Sequence, residues 1–374
     1  MSEGTIRVGV NLMWCVPGQV GGSEQYLVRQ LLGLHECGAD VRLRIYGSAA
    51  LDAAHDELSQ FATFVVAPID GRRRWRRVLS EMRWLQRQNR SDQLVHHGGG
   101  TAPRGALRPY VLTIHDLQYL TYPQYFSRLK LRYLSAMVPR SARDAAVVTV
   151  PTEYVRSTVI DRLDVPPRRV MVVPHGYEPA LLRTRGDEQE VRHRLGIDGR
   201  PFVVFPAITH PHKNHRLLVD LLAGPWSDPD LRVVLLGGTG AGEQALVDAI
   251  AVAGARVQDR ILRPGRVSDA DRNTLLAAAD ALVFPSTYEG FGAPLIEAMA
   301  LGTPVLCSDA ACLPEVAGDA AVVRPPTVDA WADALDEVRA RRDELVAAGD
   351  RRVADFTSRR SGEVLDAAYR RALG

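Results

Sequence analysis

The sequence predicts an α/β protein made of two consecutive, doubly wound, Rossmann-like domains. Its 374 residues exceed the size at which a single hydrophobic core usually forms. In both halves, short apolar runs alternate with segments of helical periodicity. Runs that are apolar throughout are typical of parallel strands covered by helices on both faces. Two such series in succession therefore predict two domains, each with a parallel sheet.

The short apolar runs are the candidate strands. In the first half they are IRVGVNL, VRLRIYG, QLVHH, YVLTIHD, AAVVTVP and VMVVPHG, and in the second half FVVFPA, RVVLLGG, ALVFPS, TPVLCSD and AAVVRP. Amphipathic segments separate several of these runs. In the first of them, Leu27, Leu31 and Leu34 fall on one helical face.

A polar, charge-rich segment at 183–200 follows the last strand of the first half, and we place the domain boundary there. The expected domains are 1–183 and 184–350. The remaining segment, 351–374, has a helical pattern. We expect it to form a helix that packs back on the first domain.

Composition indicates an ordinary globular protein, with 46% hydrophobic and 24% charged residues. The longest apolar runs are under ten residues, so no membrane-spanning helix is expected. The opening MSEGTIRVGVNL has neither a basic nor an apolar signal region, which favours a cytoplasmic location. The four cysteines, Cys15, Cys37, Cys307 and Cys312, form no CxxC pair, and we expect reduced, mostly buried thiols.

Charge is unevenly distributed along the chain. Residues 1–186 carry 25 basic and 16 acidic residues, a net of +9, whereas 187–374 carry 21 and 28, a net of −7. The basic half favours an anionic partner. No recognised nucleic-acid-binding module accompanies the charge, so we expect no nucleic acid.

The segment 72–90 is the most basic part of the chain, with eight arginines against the single carboxylate of Glu81. Trp75, Leu79, Met82 and Leu85 recur near helical spacing. One interpretation is a helix packed on the sheet, with its arginines in solvent. The other is a basic amphipathic helix that contacts an anionic membrane peripherally or steers an anionic acceptor.

The segment FPSTYEGFGAPLIEAMALGTPVLCSD, 284–309, combines features of an anion site. A strand ends in a glycine-containing loop, and Pro294 suits the first position of the helix that follows. Free amides at that helix start would seat a phosphate. Glu289 and Glu297 can accept hydrogen bonds from hydroxyl groups, so a sugar attached to a phosphate fits the segment. The alternative is an ordinary strand–turn–helix with Glu297 in solvent.

Three further loops carry candidate residues. Gly22 lies in the first strand-to-helix turn, where a tight turn is the alternative explanation. Lys213 precedes a helix in FPAITHPHKNH, where its ammonium could meet a phosphate, although a plain surface lysine fits as well. His115 ends a strand of the first half and is a candidate active-site group or a structural histidine.

Metal and dinucleotide sites are not expected. The two D-x-D matches, 228–230 and 269–271, precede a strand or open a helix. His210, His212 and His215 have no obvious fourth zinc ligand. The glycines of LLGGTGAG do not meet the G-x-G-x-x-G spacing. We therefore expect neither a metal nor a bound cofactor.

Taken together, these motifs resemble the GT-B glycosyltransferases, in particular the retaining glycosyltransferase family 4. Glu289 and Glu297 match the family's E-x7-E pair, and matching segments run in order from about Gly9 to Val323. The resemblance implies two Rossmann-like domains facing across a cleft, with the acceptor on the first domain. The chain departs from the family at PAITHPHKN, which lacks a frequent arginine ahead of Lys213 and resembles a subgroup rich in mannosyltransferases.

The resemblance also implies roles for individual residues. Glu289 would contact hydroxyl groups of the donor sugar, Lys213 would neutralise the leaving diphosphate, and His115 would lie near the reacting face of the sugar. The donor-binding residues that it implies are Gly22, Arg266, Val267, Gly290, Phe291, Gly292, Ala293, Leu295 and Glu297.

By the same resemblance, the expected activity is retaining transfer of a hexose from a nucleotide sugar to an acceptor hydroxyl, without a metal. Mannose from GDP-mannose is the best match. The alternatives are another GT-B activity, such as a nucleotide-sugar epimerase or a phosphorylase, and a non-catalytic protein that binds sugar nucleotides. No motif identifies the acceptor.

Overall fold

A computed structural model describes residues 4–177 and 182–374. The chain folds into two compact units. The first unit is the chain up to Gly176 together with Phe356–Gly374, and the second unit is Tyr177–Asp355. Part of the segment 183–200, where we placed the domain boundary, forms the helix Glu188–Leu195 of the second unit.

The first unit contains a seven-stranded sheet whose paired strands are all parallel. In sheet order the strands are β3 (Ala62–Val66), β2 (Val41–Gly47), β1 (Ile6–Asn11), β4 (Leu94–His97), β5 (Tyr110–Thr113), β6 (Val147–Val150) and β7 (Val170–Val172). The strand order changes direction between β1 and β4. In doubly wound sheets, ligands bind at the carboxyl ends of strands at such a point.

The second unit contains a six-stranded parallel sheet. In sheet order its strands are β10 (Ile261–Gly265), β9 (Arg232–Leu236), β8 (Phe202–Pro206), β11 (Ala281–Phe284), β12 (Val305–Ser308) and β13 (Ala321–Arg324). The order changes direction between β8 and β11, so the loops after these two strands leave the sheet side by side.

Helices connect the strands in both units. In the first unit they are α1 (Gly22–Glu36), α2 (Ala49–Ala54), α3 (Arg74–Ser80), α4 (Gln86–Gln88), α5 (Gln118–Thr121), α6 (Arg128–Asp144), α7 (Glu153–Leu163) and the carboxyl-terminal α18 (Ser358–Leu373). In the second unit they are α8 (Glu188–Leu195), α9 (His215–Ala223), α10 (Glu243–Ala253), α11 (Ala255–Gln258), α12 (Asp269–Ala278), α13 (Ala293–Ala300), α14 (Leu313–Ala317), α15 (Val328–Trp331), α16 (Ala334–Ala340) and α17 (Arg342–Val353). Among the described residues, no helix has the length and apolarity needed to traverse a membrane.

Two parallel, Rossmann-like sheets with helical connections confirm the predicted fold class. The apolar runs missed two strands, β3 and β10. Both lie at an edge of their sheet, and their residues are partly buried or exposed, unlike the continuously buried central strands. Edge strands have one unpaired side and tolerate polar residues and proline, so they lack the apolar signal of a central strand.

Helix α18 packs directly on α1 within the first unit. The two backbones cross at a pair of glycines. A Cβ added to Gly33 would lie 1.9 Å from the carbonyl oxygen of Ser358, and one added to Gly362 would lie 2.0 Å from the carbonyl carbon of Gly33. Glycine is therefore required on both helices for this close approach. Leu27, Leu31 and Leu34 of α1 are buried on one face, as predicted.

The basic segment 72–90 forms α3, a π-helical turn at Glu81–Leu85 and the short α4. The four apolar residues that recur near helical spacing are divided between two surroundings. Leu85 is fully buried, whereas Trp75, Leu79 and Met82 are exposed. Leu85, at the end of the π-helical turn, therefore points into the core, whereas the other three side chains lie in solvent.

Candidate functional site

The candidate site of the second unit lies in the loops that follow β8 and β11. The backbone amide of Thr287 donates a hydrogen bond to the carbonyl oxygen of His212 at 2.7 Å. The side-chain amide of Asn214 donates to the carbonyl oxygen of Pro285 at 3.3 Å. These bonds join the two loops, which start next to each other at the point where the strand order reverses.

Joining the loops brings Lys213 and Glu289 into contact. The Lys213 Nζ lies 2.6 Å from Oε1 of Glu289, and the two side chains are 18% and 13% exposed. The ring of Phe284, at the end of β11, has its centroid 5.5 Å from the same Nζ. The sequence predicted separate roles for the two residues, but their ion pair depends on tertiary structure.

The start of α13 follows Glu289 by four residues. Gly292 caps the helix with a φ of 89°, and a Cβ there would lie 2.8 Å from Cδ2 of Leu313. Both the backbone conformation and the space therefore require glycine at this position. The amide of Leu295 donates to the carbonyl of Gly292. Among the residues that the structure describes, the amides of Gly292 and Ala293 have no hydrogen-bond partner, so they can bind an anion.

A buried cysteine shapes the loop before α13. The Sγ of Cys312 donates to the carbonyl oxygens of Glu289 at 3.2 Å and Phe291 at 3.3 Å. The Cys312 side chain is fully buried, and the Phe291 side chain is 7% exposed. Nothing in the local sequence signals this contact, because Cys312 lies more than twenty residues beyond the loop.

Glu297 lies in α13, and its side chain is nearly buried. One of its carboxylate oxygens lies 3.4 Å from the guanidinium of Arg272 on α12. The positive charge of Arg272 thus lies beside the Glu297 carboxylate, which has little contact with water. The sequence-based predictions missed Arg272, since nothing near it in the chain links it to the E-x7-E pair.

Thr209 joins the loops after β8 and β9, and Glu243 at the start of α10 links them to Arg263 in β10. The Thr209 hydroxyl donates to Glu243 at 2.7 Å and accepts from the amide of Gly240 at 2.7 Å, and Glu243 is ion-paired with Arg263. A Cβ at Gly240 would lie 2.8 Å from the Thr209 carbonyl oxygen. The glycine-rich loop after β9 therefore serves close packing between loops.

Arg266 and Val267, the residues predicted to lie near the base, follow β10 directly. The Nε of Arg266 lies 3.4 Å from a Cβ built on Gly238, so Arg266 borders the same group of loops. Arg216 is another cation close to Lys213 in sequence. It lies on α9, is 64% exposed and forms an ion pair with Asp220 at 2.7 Å.

Three histidines, His210, His212 and His215, lie beside Lys213 in the sequence. Burial lowers the pKa of His212 to about 3 and that of His215 to about 4, so both rings are neutral near pH 7. The rings of His210 and His212 are stacked, with centroids 5.7 Å apart. Within the described ranges, no group of three or more His, Cys, Asp or Glu side chains is arranged to hold a metal ion.

His115 lies in the first unit, just beyond β5. Its Nε2 is 2.8 Å from the carbonyl oxygen of Gly98, which follows β4. Burial lowers the pKa of His115 to about 4, against the opposing effect of this hydrogen bond. The ring is neutral at pH 7. Its single N–H is therefore at Nε2, which donates a hydrogen bond to the carbonyl oxygen of Gly98. The other nitrogen, Nδ1, is then an acceptor, able to receive a hydrogen bond from a hydroxyl group.

Gly22 is the first residue of α1, and no heavy atom lies within 4 Å of a Cβ built there. A carboxylate supports the loop before it: an oxygen of Glu24 accepts from the amide of Gly18 at 3.0 Å. His55 lies between Glu24 at 2.8 Å and Glu57 at 3.1 Å. The sequence-based predictions included neither Glu24 nor His55 as a support for this loop.

The predicted site residues thus fall into two sets. Lys213, Glu289, Glu297 and the positions 290–295 and 266–267 belong to the second unit, and Lys213 contacts Glu289 there. Gly22 and His115 belong to the first unit. In that unit both lie near the carboxyl ends of β1, β4 and β5, where the strand order reverses.

Comparison with protein families gives two matches along the chain. Residues 20–181 match the model described as Glycosyltransferase Family 4, and residues 187–351 match the model described as Glycosyl transferases group 1. The two models together cover most of the chain.

Named relatives match a shorter region. The O-antigen chain mannosyltransferase B of Escherichia coli is 29% identical over 239 residues, which are 63% of this chain and 62% of that protein. The MMP alpha-(1->4)-mannosyltransferase of Mycolicibacterium hassiacum is 31% identical over 234 residues, which are 61% of this chain and 52% of that protein. The match therefore spans less than two thirds of either relative.

Solved structures show the same fold over nearly the whole chain. The crystal structure of HepE from Anabaena in complex with UDP and glucose superposes with a TM-score of 0.74 at 18% identity, covering 98% of this chain and 99% of that one. With its two parallel, Rossmann-like sheets and its E-x7-E pair at the start of α13, the chain belongs to glycosyltransferase family 4 and has the GT-B fold.

Proposed function

We propose that the protein is a retaining hexosyltransferase that moves mannose from GDP-mannose to an acceptor hydroxyl. The contact between Lys213 and Glu289 beside the start of α13 carries this proposal. The pair supplies a cation and a carboxylate, and the two unpartnered amides follow Glu289 by three and four residues. A diphosphate that carries a sugar needs that combination of groups.

The free amides of Gly292 and Ala293 would receive the diphosphate, since the amino end of a helix favours negative charge. Lys213 would add its positive charge to the phosphate oxygens as the bond to the sugar breaks. The incoming phosphates then compete with Glu289 for the ammonium. Glu289 is thereby released to accept hydrogen bonds from the sugar hydroxyls.

Glu297 would bind the ribose. The Glu297 side chain is 9% exposed and thus poorly solvated, and Arg272 at 3.4 Å places an opposite charge beside it and orients it. Two adjacent ribose hydroxyls can donate to its two oxygens. Arg266 and Val267, which follow β10, would border the base.

The reaction that we propose takes place on one face of the sugar. The acceptor oxygen forms a bond to the anomeric carbon on the side from which the diphosphate leaves. The bond between that carbon and the phosphate oxygen breaks, its electron pair goes to the diphosphate, and the acceptor proton passes to a phosphate oxygen. Glu289 orients the sugar in this scheme and does not attack it. Detection by mass spectrometry of a glycosyl adduct on Glu289 would contradict this mechanism.

His115 would accept a hydrogen bond from a donor-sugar hydroxyl through Nδ1, because its Nε2 proton is engaged by Gly98. Positive charge from Lys213 and the helix amides would do the work that a metal does in other transferases, so we expect no metal requirement. We assign the activity to the cytoplasm, where cysteines that form no disulfide would stay reduced.

The choice of mannose and GDP is supported by the names of the two mannosyltransferase relatives. The HepE structure holds UDP and glucose and points to a different donor for that protein. A thermal-shift panel of GDP, UDP, GDP-mannose and UDP-glucose distinguishes the two donors. We expect GDP and GDP-mannose to raise Tm, and GDP-mannose to raise it more.

Variants connect the panel to the site. Lys213→Met should reduce the shifts with both GDP and GDP-mannose, whereas Glu289→Gln should abolish only the difference between them. Arg216→Met removes an exposed cation of α9 and should leave both shifts unchanged. A larger rise in Tm with UDP-glucose than with GDP-mannose would show that UDP-glucose is the donor. Turnover that needs inorganic phosphate would indicate a phosphorylase. Turnover to an isomerised nucleotide sugar without an acceptor would indicate an epimerase.

A further inference from the structure

The first unit carries a group of large apolar side chains on its surface. Trp75, Leu79 and Met82 are 61%, 45% and 40% exposed, and their spacing of four and three residues places them along one side of the segment. Leu129, in the first turn of α6, is 81% exposed. Several large exposed apolar side chains close together are typical of an interaction surface.

The opposite side of the segment fixes its orientation. Leu85 is fully buried in a small cluster with Met13 and Tyr46. The Glu81 carboxylate is also buried and accepts from the side-chain amide of Asn11 in β1. Both residues belong to the π-helical turn, so this turn anchors the segment to the sheet and holds Trp75, Leu79 and Met82 outward.

One side-chain contact joins α3 to α6. The guanidinium of Arg74 lies over the ring of Tyr133, 5.7 Å from its centroid. Tyr133 is one helical turn beyond Leu129, so the exposed leucine lies on the same face of α6 as the residue that contacts Arg74. The electrostatic influence of Arg74 also reaches Lys130 and contributes, after burial, to lowering the pKa of that lysine.

Positive charge predominates in both segments that carry these apolar side chains. The segment 72–90 contains eight arginines and a single carboxylate, Glu81, which is buried. Residues 117–143, which include most of α6, contain no aspartate or glutamate. An exposed apolar patch bordered by cations with no exposed carboxylate within either segment complements a surface that is negatively charged outside and apolar beneath.

We propose that this docking surface, defined by Trp75, Leu79, Met82, Leu129, Arg76 and Arg83, binds the headgroup layer of an anionic phospholipid bilayer. The arginines would contact lipid phosphates, and the apolar side chains would enter the boundary between headgroups and acyl chains. Nucleic acid would use the arginines but would leave Leu79, Met82 and Leu129 in water. The proposal does not depend on the glycosyl-transfer activity, because lipid binding is measured without a donor.

The test uses the full chain and two kinds of vesicle, phosphatidylcholine alone and an equal mixture of phosphatidylcholine and phosphatidylglycerol. We expect co-sedimentation with the mixed vesicles only, and its loss at about 1 M salt, where charges are screened beyond about 3 Å. Trp75 is exposed, whereas Trp226 and Trp331 are buried. The fluorescence emission of Trp75 should therefore move to shorter wavelength when the protein binds vesicles. Trp75→Leu should abolish this shift and preserve vesicle binding.

Two sets of surface variants locate the contact. The triple variant Trp75→Ser/Leu79→Ser/Leu129→Ser should weaken partitioning at least tenfold. The double variant Arg76→Gln/Arg83→Gln should weaken it on the order of thirtyfold at low salt. All five side chains are exposed, so we expect both variants to fold.

The matched controls replace exposed apolar and arginine side chains that lie outside the docking surface. Val247→Ser/Val252→Ser removes two apolar side chains of α10 that are 40% and 85% exposed, and Arg256→Gln/Arg360→Gln removes two exposed arginines. Both controls should bind the mixed vesicles like the unmodified protein. Negligible binding to both kinds of vesicle would overturn the proposal. A dimer that only the triple variant dissociates, without vesicle binding, would instead assign the surface to a second copy of the chain.

Discussion

The ammonium of Lys213 and the carboxylate of Glu289 form an ion pair of 2.6 Å, although 76 residues separate them in sequence. Each belongs to a loop at the point where the strand order of the second sheet reverses. The two groups neutralise each other in the absence of a donor. A diphosphate is the kind of ligand that would replace Glu289 as the partner of Lys213.

Replacing Lys213 should impair the chemical step more than donor binding. Lys213→Met removes positive charge from the site at which the leaving diphosphate gains charge, and we expect kcat to fall about 100-fold or more. Lys213→Arg keeps the charge and should retain more activity than Lys213→Met. Steady-state kinetics with GDP-mannose and a mannosyl acceptor measure both. Equal activities of the two variants would show that charge at this position is not what matters.

Cys312 should control the shape of the donor loop through its thiol. Cys312→Ala removes the bonds to the carbonyl oxygens of Glu289 and Phe291, and we expect a rise in KM for the donor and a loss of about 1–3 kcal/mol of stability. Cys307→Ala is the matched control, since Cys307 is equally buried but lies in β12. It should lower Tm without the change in KM. A similar change in the donor KM for both variants would show that the thiol of Cys312 does not specifically shape the donor loop.

The pair of His55 and Glu24 should stabilise the first unit within a limited pH range. Burial opposes the charged imidazole, but hydrogen bonds to Glu24 and Glu57 outweigh it and raise the pKa of His55 above 6.5. The bond from His55 lowers the pKa of Glu24 below 4.5. Stability from His55 is therefore present below pH 6.5 and lost as pH rises through its raised pKa. Stability from Glu24 is present above pH 4.5 and lost as pH falls through its lowered pKa.

Thermal melts across pH test this assignment with His55→Gln. The unmodified protein should exceed this variant by about 1–3 kcal/mol between pH 5 and 6.5, and the difference should shrink toward higher pH. His193→Gln is the control, because the His193–Asp198 pair is 86% and 59% exposed and contributes little. A difference that stays constant from pH 5 to 9 would mean that the charge of His55 is not involved.

The crossing of α1 and α18 should not tolerate a methyl group. Gly33→Ala and Gly362→Ala each force the two backbones apart, and we expect each to cost about 3 kcal/mol or more. Gly4→Ala has open space around it and should leave the free energy of unfolding unchanged within about 0.5 kcal/mol. Urea denaturation measures all three. An unchanged midpoint for Gly33→Ala would show that the two helices are not held at this distance in solution.

The order of residues along the chain was enough to predict most elements and the local groups that they present. Central parallel strands are buried on both faces, so their apolar runs are continuous and were recognised. The edge strands β3 and β10 lack that signal and were missed. The turn at Gly292 and the start of α13 at Ala293, one residue before Pro294, depend on neighbouring residues, so this local backbone geometry was also predictable from the sequence.

Which distant groups meet depends on the folded chain and could not be predicted. The ion pair of Lys213 with Glu289, the contact of Arg272 with Glu297 and the bonds from Cys312 join residues 21 to 76 positions apart. The direction of the apolar side chains in 72–90 has the same origin, because a π turn shifts the helical register at Glu81. Local propensity specifies backbone conformation over a few residues, whereas strand order and loop packing specify which side chains become neighbours.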